Sequence, residues 1–205
     1  MKQTTKRLMV FIDNSNVFKY LNQLHKIDAK WPKSYDPKFL AESITGNREL
    51  KEIYFYCSPP PPYLQIEQPY KYWNQISYYE AVKQLPNLVL KYGRLTGGKR
   101  NISEKNLDTQ VTADMIRLAA ENAYDVAVLV SNDGDYQSAV ETVKIFKKGV
   151  ENVYFRGSVS MSLKMVCDVS RRARRKFFKR LAYDYFDGNT IKKIKESTSG
   201  KTSRK

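Results

Sequence analysis

Two aspartates one residue apart, Asp133 and Asp135, follow the apolar run Val126–Val130 in the stretch DVAVLVSNDGDYQSAV. A third, Asp13, closes the apolar segment RLMVFI near the start of the chain. Two more, Asp108 and Asp114, lie in LDTQVTADMIRLAAENA, the clearest helical pattern in the sequence. Taken singly, an acid at a strand end or helix start is ordinarily a turn or cap residue. Taken together they suggest a site, because carboxylates converging on one point stay charged at neutral pH only with a cation among them. Oxygen ligands suit Mg²⁺ or Mn²⁺, which keep several waters and bridge phosphate oxygens. The chemistry such a centre performs is attack of an activated water on a phosphodiester.

The elements that would position these acids alternate strand with helix. Strands are expected at residues 7–12, in KEIYFYCS, in NLVLKYGRL, at 126–130 and, last, in VENVYF. Helices are expected from Ser15 to His25 with Ser15 as N-cap, around Phe39 to Ile44, in YKYWNQISYYEAVKQL, in LDTQVTADMIRLAAENA, in YQSAVETVKIFKKG with Gly149 as the stop, and from Met161 to Val169. PPPPY reads as a rigid connection and TGGKRNISEK as an exposed, mobile loop. This alternation predicts an α/β fold with a parallel sheet flanked by helices. Ligands of such sheets bind outside the carboxyl ends of the strands, where Asp13, Asp133 and Asp135 fall. With Leu107 as reference, Val111 lies about 40° around the helix, Leu118 about 20° and Asp114 about −20°. Asp114 is therefore on the apolar stripe and needs a donor, a cation or a metal. Asp108 lies about 100° around, near Lys105.

Composition narrows the partners. The net charge is +15, and Arg171 to Lys205 holds thirteen lysines and arginines against three acids. RRARRKFFKR reads as a basic helix over 170–187 with Ala173, Phe177 and Leu181 on one face. Arg171, Arg172, Arg174, Arg175 and Lys176 would then contact a phosphate backbone, since an acidic centre repels a polyanion unless cations hold it nearby. Basic amphipathic helices also bind membranes, but nucleic acid is favoured beside the acids, and no apolar run is long enough to span a bilayer. The aromatic residues between Tyr70 and Tyr79 either stack on bases or pack the core. Cys57 and Cys167 lack metal-ligand spacing, His25 has no nucleophile in view, and GRLTGG is not followed by the Lys-Ser/Thr of a phosphate loop. The N-terminus does not read as a signal peptide. The expectation is a soluble, cytoplasmic protein.

With these residues in view, the chain resembles the NYN domain family, the LabA-like branch of PIN-like nucleases. VFIDNSN is similar to the family's first-strand ending, with Asp13 and Asn16 three residues apart. KNLDTQVTADMIRLA is similar to its Lys-x-x-Asp helix start with a further acid, giving Lys105, Asp108 and Asp114. YDVAVLVSNDGDY is similar to its Ser-Gly-Asp-x-Asp-Phe strand ending, giving Ser131, Asp133 and Asp135. The resemblance implies a PIN-like, Rossmannoid fold and a Mg²⁺- or Mn²⁺-dependent nuclease, usually an endoribonuclease acting on RNA. Asp13, Asp108, Asp133 and Asp135 would be its catalytic and metal-binding acids. Asn16 would steady a ligand or phosphate, and Ser131 would orient the Asp133 turn. Asp114 stands open between metal ligand and structural anchor. Asn132 replaces the family's Gly, Asn106 and Leu107 replace Gly-Val, and Tyr136 stands for Phe. The expected organisation is a nuclease domain over 1–169, the basic helix over 170–187 and a disordered basic tail over 188–205. An RNA-binding or regulatory module with little cleavage and a DNA nuclease are the alternatives. RNA is the expected partner, DNA the second; the oligomeric state is open, a homodimer included.

Overall fold

The structure is a computed structural model that describes residues 5–97, 103–155 and 160–182. Six strands form one parallel sheet in the order β3-β2-β1-β6-β7-β8. They are β1 (Arg7–Asp13), β2 (Glu49–Cys57), β3 (Leu88–Tyr92), β6 (Val126–Val130), β7 (Gly149–Tyr154) and β8 (Val169–Arg172). β4 (Arg94–Thr96) and β5 (Ser103–Lys105) form a separate antiparallel pair. The helices are α1 (Asn14–Ile27), α2 (Pro37–Thr45), α3 (Leu64–Glu67), α4 (Pro69–Lys83), α5 (Leu107–Ala120), α6 (Gln137–Ile145) and α7 (Met161–Val166).

The central strands are continuous apolar runs because both faces are covered. On one face Leu8, Val10 and Ile12 of β1, with Val128 and Val130 of β6, pack against Val17, Leu40, Ala41 and Tyr78 of α1, α2 and α4. On the other, Met9 and Phe11, with Ala127 and Leu129, pack against Leu107, Val111, Met115 and Val140 of α5 and α6. The two-residue period of the strands sorts the side chains, so each strand serves two cores at once.

The sequence order reverses between β1 and β6. From β1 the chain builds outward through β2 to β3; from β6 it builds the other way through β7 to β8. That reversal opens a crevice at the carboxyl ends of β1 and β6, where Asp13 and the Ser131–Asp135 turn emerge.

Several local expectations are corrected. Asp13, not Ser15, caps α1, accepting the Asn16 backbone N–H, so one residue ends a strand and begins a helix. The third strand breaks at Gly93, where a Cβ would come within 2.9 Å of Leu107 Cδ1; the chain then turns into the β4–β5 hairpin. Part of the expected loop 96–105 is thus strand, and its residues 98–102 lie outside those described. α6 stops at Ile145, with Lys147 taking the left-handed backbone (φ 57°), while Gly149 opens β7.

The basic segment departs most. Val169–Arg172 is a strand paired with β7, so VENVYF is not the last strand and the sheet runs through the expected boundary at 169/170. Arg175–Phe177 is a single 3-10 turn, and the described part of 170–187 contains no α-helix. Ala173, Phe178 and Leu181 are the buried residues, in place of the expected Ala173, Phe177 and Leu181 face. Ala173 N donates to Tyr154 O, Asp36 N donates to Lys179 O, and Phe178 packs on Trp31, Tyr35 and Phe155. Burying Phe178 in that aromatic cluster outweighs the helix propensity of an arginine-rich run, a local preference that tertiary packing overrides. The expected tail, 188–205, lies outside the described residues.

Candidate active site

Asp13 is 3 % exposed at the end of β1. Its Oδ1 accepts the Asn16 N–H at 3.0 Å, and its Oδ2 lies 3.1 Å from the donating Ser131 Oγ and 3.3 Å from Tyr136 Oη. Burial, with the Asp108 charge adding to it, pushes the carboxyl up to about 6; the hydrogen bonds from Asn16, Ser131 and Tyr136 oppose the rise.

Asp108 reaches the same point from the exposed first turn of α5. Asn106 takes the left-handed conformation just before that turn (φ 69°), a geometry asparagine tolerates better than other non-glycine residues. The replacement of the family's glycine there is absorbed by the backbone. Tyr136 Oη donates to Asp108 Oδ1 at 2.8 Å, so one phenol stands between Asp13 and Asp108. The hydroxyl has one proton, and the shorter contact marks Asp108 as its acceptor. Burial and the two carboxylates hold the phenol far above its ordinary range.

The β6 end is stapled to the same place. Ser131 Oγ accepts the Asp133 N–H at 3.1 Å while donating to Asp13, and Asp133 Oδ1 accepts the Asp135 N–H at 3.1 Å. Asn16 Oδ1 accepts the Asn132 N–H at 3.0 Å. The Asn132 side chain accepts from Phe155 N and donates to Phe155 O, fastening the turn to the end of β7. Gly134 has no positive φ; its role is close approach, since a Cβ there would lie 2.6 Å from Ser160 Oγ, the cap of α7.

Asp13, Asp108 and the Ser131–Asp133 turn are therefore joined, as the spacing suggested. Asp135 is exposed, and among the described residues its link to the cluster is the backbone N–H it donates to Asp133. Among the described residues no three acids, histidines or cysteines stand close enough in this arrangement to hold a metal ion. The donors fit a hard divalent cation by chemistry: all are carboxylate oxygens, Asp13 is buried beside the like charge of Asp108, and Asp108 and Asp133 have exposed or half-exposed side chains.

Asp114 lies apart from this cluster. It is six residues along α5 from Asp108, roughly 9 Å of helix rise. Its Oδ2 accepts from Lys91 Nζ at 2.6 Å and Tyr56 Oη at 2.9 Å, and its Oδ1 from Arg117 at 3.3 Å. Those partners answer the need of a buried acid and favour the structural anchor. Arg171 also leaves the expected set facing substrate: with Arg48 it holds the buried Glu151. Arg172, Arg174, Arg175 and Lys176 are exposed, on the segment that leaves β8 at the carboxyl edge of the sheet. Lys105 is exposed just ahead of α5, Asn16 acts as a strut, and Tyr78 and Tyr79 are core residues. His25 contacts the Trp31 carbonyl, and both cysteines are buried and outside any disulfide. The reading from sequence missed Tyr136 as a site residue; its only signal was a hydroxyl where the resemblance has Phe.

Comparison with known proteins identifies the family. The sequence profile of the NYN domain matches residues 7–172. The chain belongs to the NYN domain family. It is 24% identical over 167 residues to the low amplitude and bright protein LabA of Synechococcus elongatus, spanning 79% of this chain and 81% of that protein. A crystal structure of a Vibrio parahaemolyticus protein of unknown function superposes with a TM-score of 0.65 at 16% identity, covering 87% of this chain and 99% of that one. That likeness concerns the fold, which is PIN-like. Membership in this PIN-like nuclease family supports a nuclease-type, nucleic-acid-related role for the NYN chain. Among the described residues, no helix is long and apolar enough to cross a membrane.

Proposed function

We propose that this NYN domain is a metal-dependent endoribonuclease. The observation that carries the reading is the meeting of Asp13, Asp108 and the Ser131–Asp133 turn in the crevice between β1 and β6. Asp13, Asp108 and Asp133 would hold Mg²⁺ or Mn²⁺, with Asp135 at the exposed rim. Such an ion supplies a water nucleophile at neutral pH and offsets charge on the phosphodiester under attack.

The chain's own residues do the remainder. Ser131 fixes the spacing between Asp13 and Asp133 by bonding to both. Asn16 and Asn132 lock the carboxyl ends of β1, β6 and β7 together, so the acids sit on a rigid base. Arg172, Arg174, Arg175 and Lys176 offset the repulsion between an acidic crevice and a polyanion, and hold RNA along the segment leaving β8.

The test is cleavage of labelled single-stranded RNA and DNA with Mn²⁺ or Mg²⁺, against chelator, for the wild type, Asp133→Asn and Asp108→Asn. Asp108 is exposed, so its variant leaves the core intact. Metal-dependent loss of RNA that disappears in both variants is expected. Salt-sensitive RNA binding without cleavage in all three proteins would make this a binding module, and cleavage of DNA alone would change the substrate.

A further inference from the structure

We infer that Tyr136 is a positioning residue whose hydroxyl holds Asp108 turned toward Asp13 and so presets the pair for a divalent cation. The inference rests on the metal-dependent reading above and assigns a new role within that site.

Asp108 has reasons to turn away. It is exposed on the first turn of α5, where water competes for its carboxylate, and the like charge of Asp13 repels it. Against this stands one donor: among the described residues, the hydrogen bond its carboxylate accepts comes from Tyr136, at 2.8 Å. Tyr136 is wholly buried in the core beneath α5 and α6, so its ring is held on all sides and its hydroxyl is fixed in place. That hydroxyl is also 3.3 Å from Asp13 Oδ2. It therefore links an acid the solvent could move to an acid the sheet holds still.

Phe would fill the same core volume and supply no donor. Tyr136→Phe thus removes the positioning bond while conserving the packing. Carboxylate ligands depend on such outer donors, and losing one typically lowers metal affinity 10- to 100-fold. A hydrogen bond that served the fold alone would lower the melting temperature and leave the affinity unchanged.

The experiment is calorimetric titration of the full, metal-free chain with Mn²⁺, for wild type, Tyr136→Phe and Tyr136→Leu, with melting temperatures in chelator. Tyr136→Leu is a second donor-free variant with different packing. The expected result is a 10- to 100-fold rise in Kd for Mn²⁺ in the donor-free variants that fold. RNA cleavage by Tyr136→Phe should be recovered at saturating Mn²⁺, with KM for RNA unchanged. Wild-type affinity in either folded variant overturns the positioning role and leaves the metal-dependent reading standing. A wild type that binds no Mn²⁺ overturns that reading, and this inference with it.

Discussion

Neutralising the buried acid at the centre of the site should stabilise the protein while ending its activity. Asp13 is 3 % exposed, and its carboxyl is raised from the ordinary 3.8 to about 6, first by burial and then by the Asp108 charge. A carboxyl raised on folding binds its proton more tightly in the native state. Its charged form therefore opposes folding above about pH 6, and that penalty fades as pH falls toward the unfolded value. The size of the rise corresponds to about 3 kcal/mol at neutral pH. In Asp13→Asn the amide oxygen can keep the Asn16 N–H, while Ser131 rotates its hydroxyl to accept from the new amide and Tyr136, which already donates to Asp108, accepts without rotating. Imperfect matching lowers the net gain to about 1–3 kcal/mol. For a domain of this size that is a rise of roughly 3–10 °C in melting temperature. The assay is thermal unfolding of wild type and variant in chelator from pH 4.5 to 8. The variant should be more stable at pH 8, with the gap closing toward pH 4.5. Mn²⁺ should close or reverse the gap, since at a hundredfold excess over Kd it stabilises the wild type by about 2.7 kcal/mol and the variant hardly at all. A variant less stable than wild type at pH 8 in chelator, or a gap equal at pH 5 and 8, would refute the reasoning.

Asp114→Ala strips Tyr56 and Lys91 of their shared acceptor and should cost about 2–4 kcal/mol in urea unfolding. Cleavage per folded molecule should persist, and its loss would return Asp114 to the metal ligands. Gly134→Ala drives a Cβ to within 2.6 Å of Ser160 Oγ. It should cost about 1–3 kcal/mol, and the double variant with Ser160→Gly should recover much of that stability. Replacing Arg174, Arg175 and Lys176 together by Ala should weaken RNA binding and make the slope of log K against log salt shallower by about 2, at roughly 0.7 per lost phosphate contact. An unchanged slope in filter binding would remove this segment from the RNA path.

Much of the architecture was legible because local patterns carry it. Apolar runs broken by turns marked the central strands, and the apolar stripe of α5 put Asp114 inside, where it lies. Asp13, Asp108 and Asp133 stood out because acids at strand ends and helix starts must face the carboxyl edge of a parallel sheet. What failed depended on neighbours far away in the chain. The run VSRRARRKFFKRL has helical spacing, yet its first part pairs with β7 and Phe178 sinks among Trp31, Tyr35 and Phe155. Arg171 looked like a phosphate ligand until Glu151, twenty residues away, was found to hold it.

The sequence alone determined which residue types could do chemistry and, through strand and helix periods, which edge of the sheet would present them. Tertiary structure decided which of them meet. It placed the Tyr136 hydroxyl between Asp13 and Asp108, gave Asp114 to Lys91, Tyr56 and Arg117, and turned the basic segment into an edge strand and strap. The reason is physical: periodicity fixes the direction a side chain faces, whereas a buried charge or hydroxyl is satisfied only by whatever donor the packing of distant segments brings within about 3 Å.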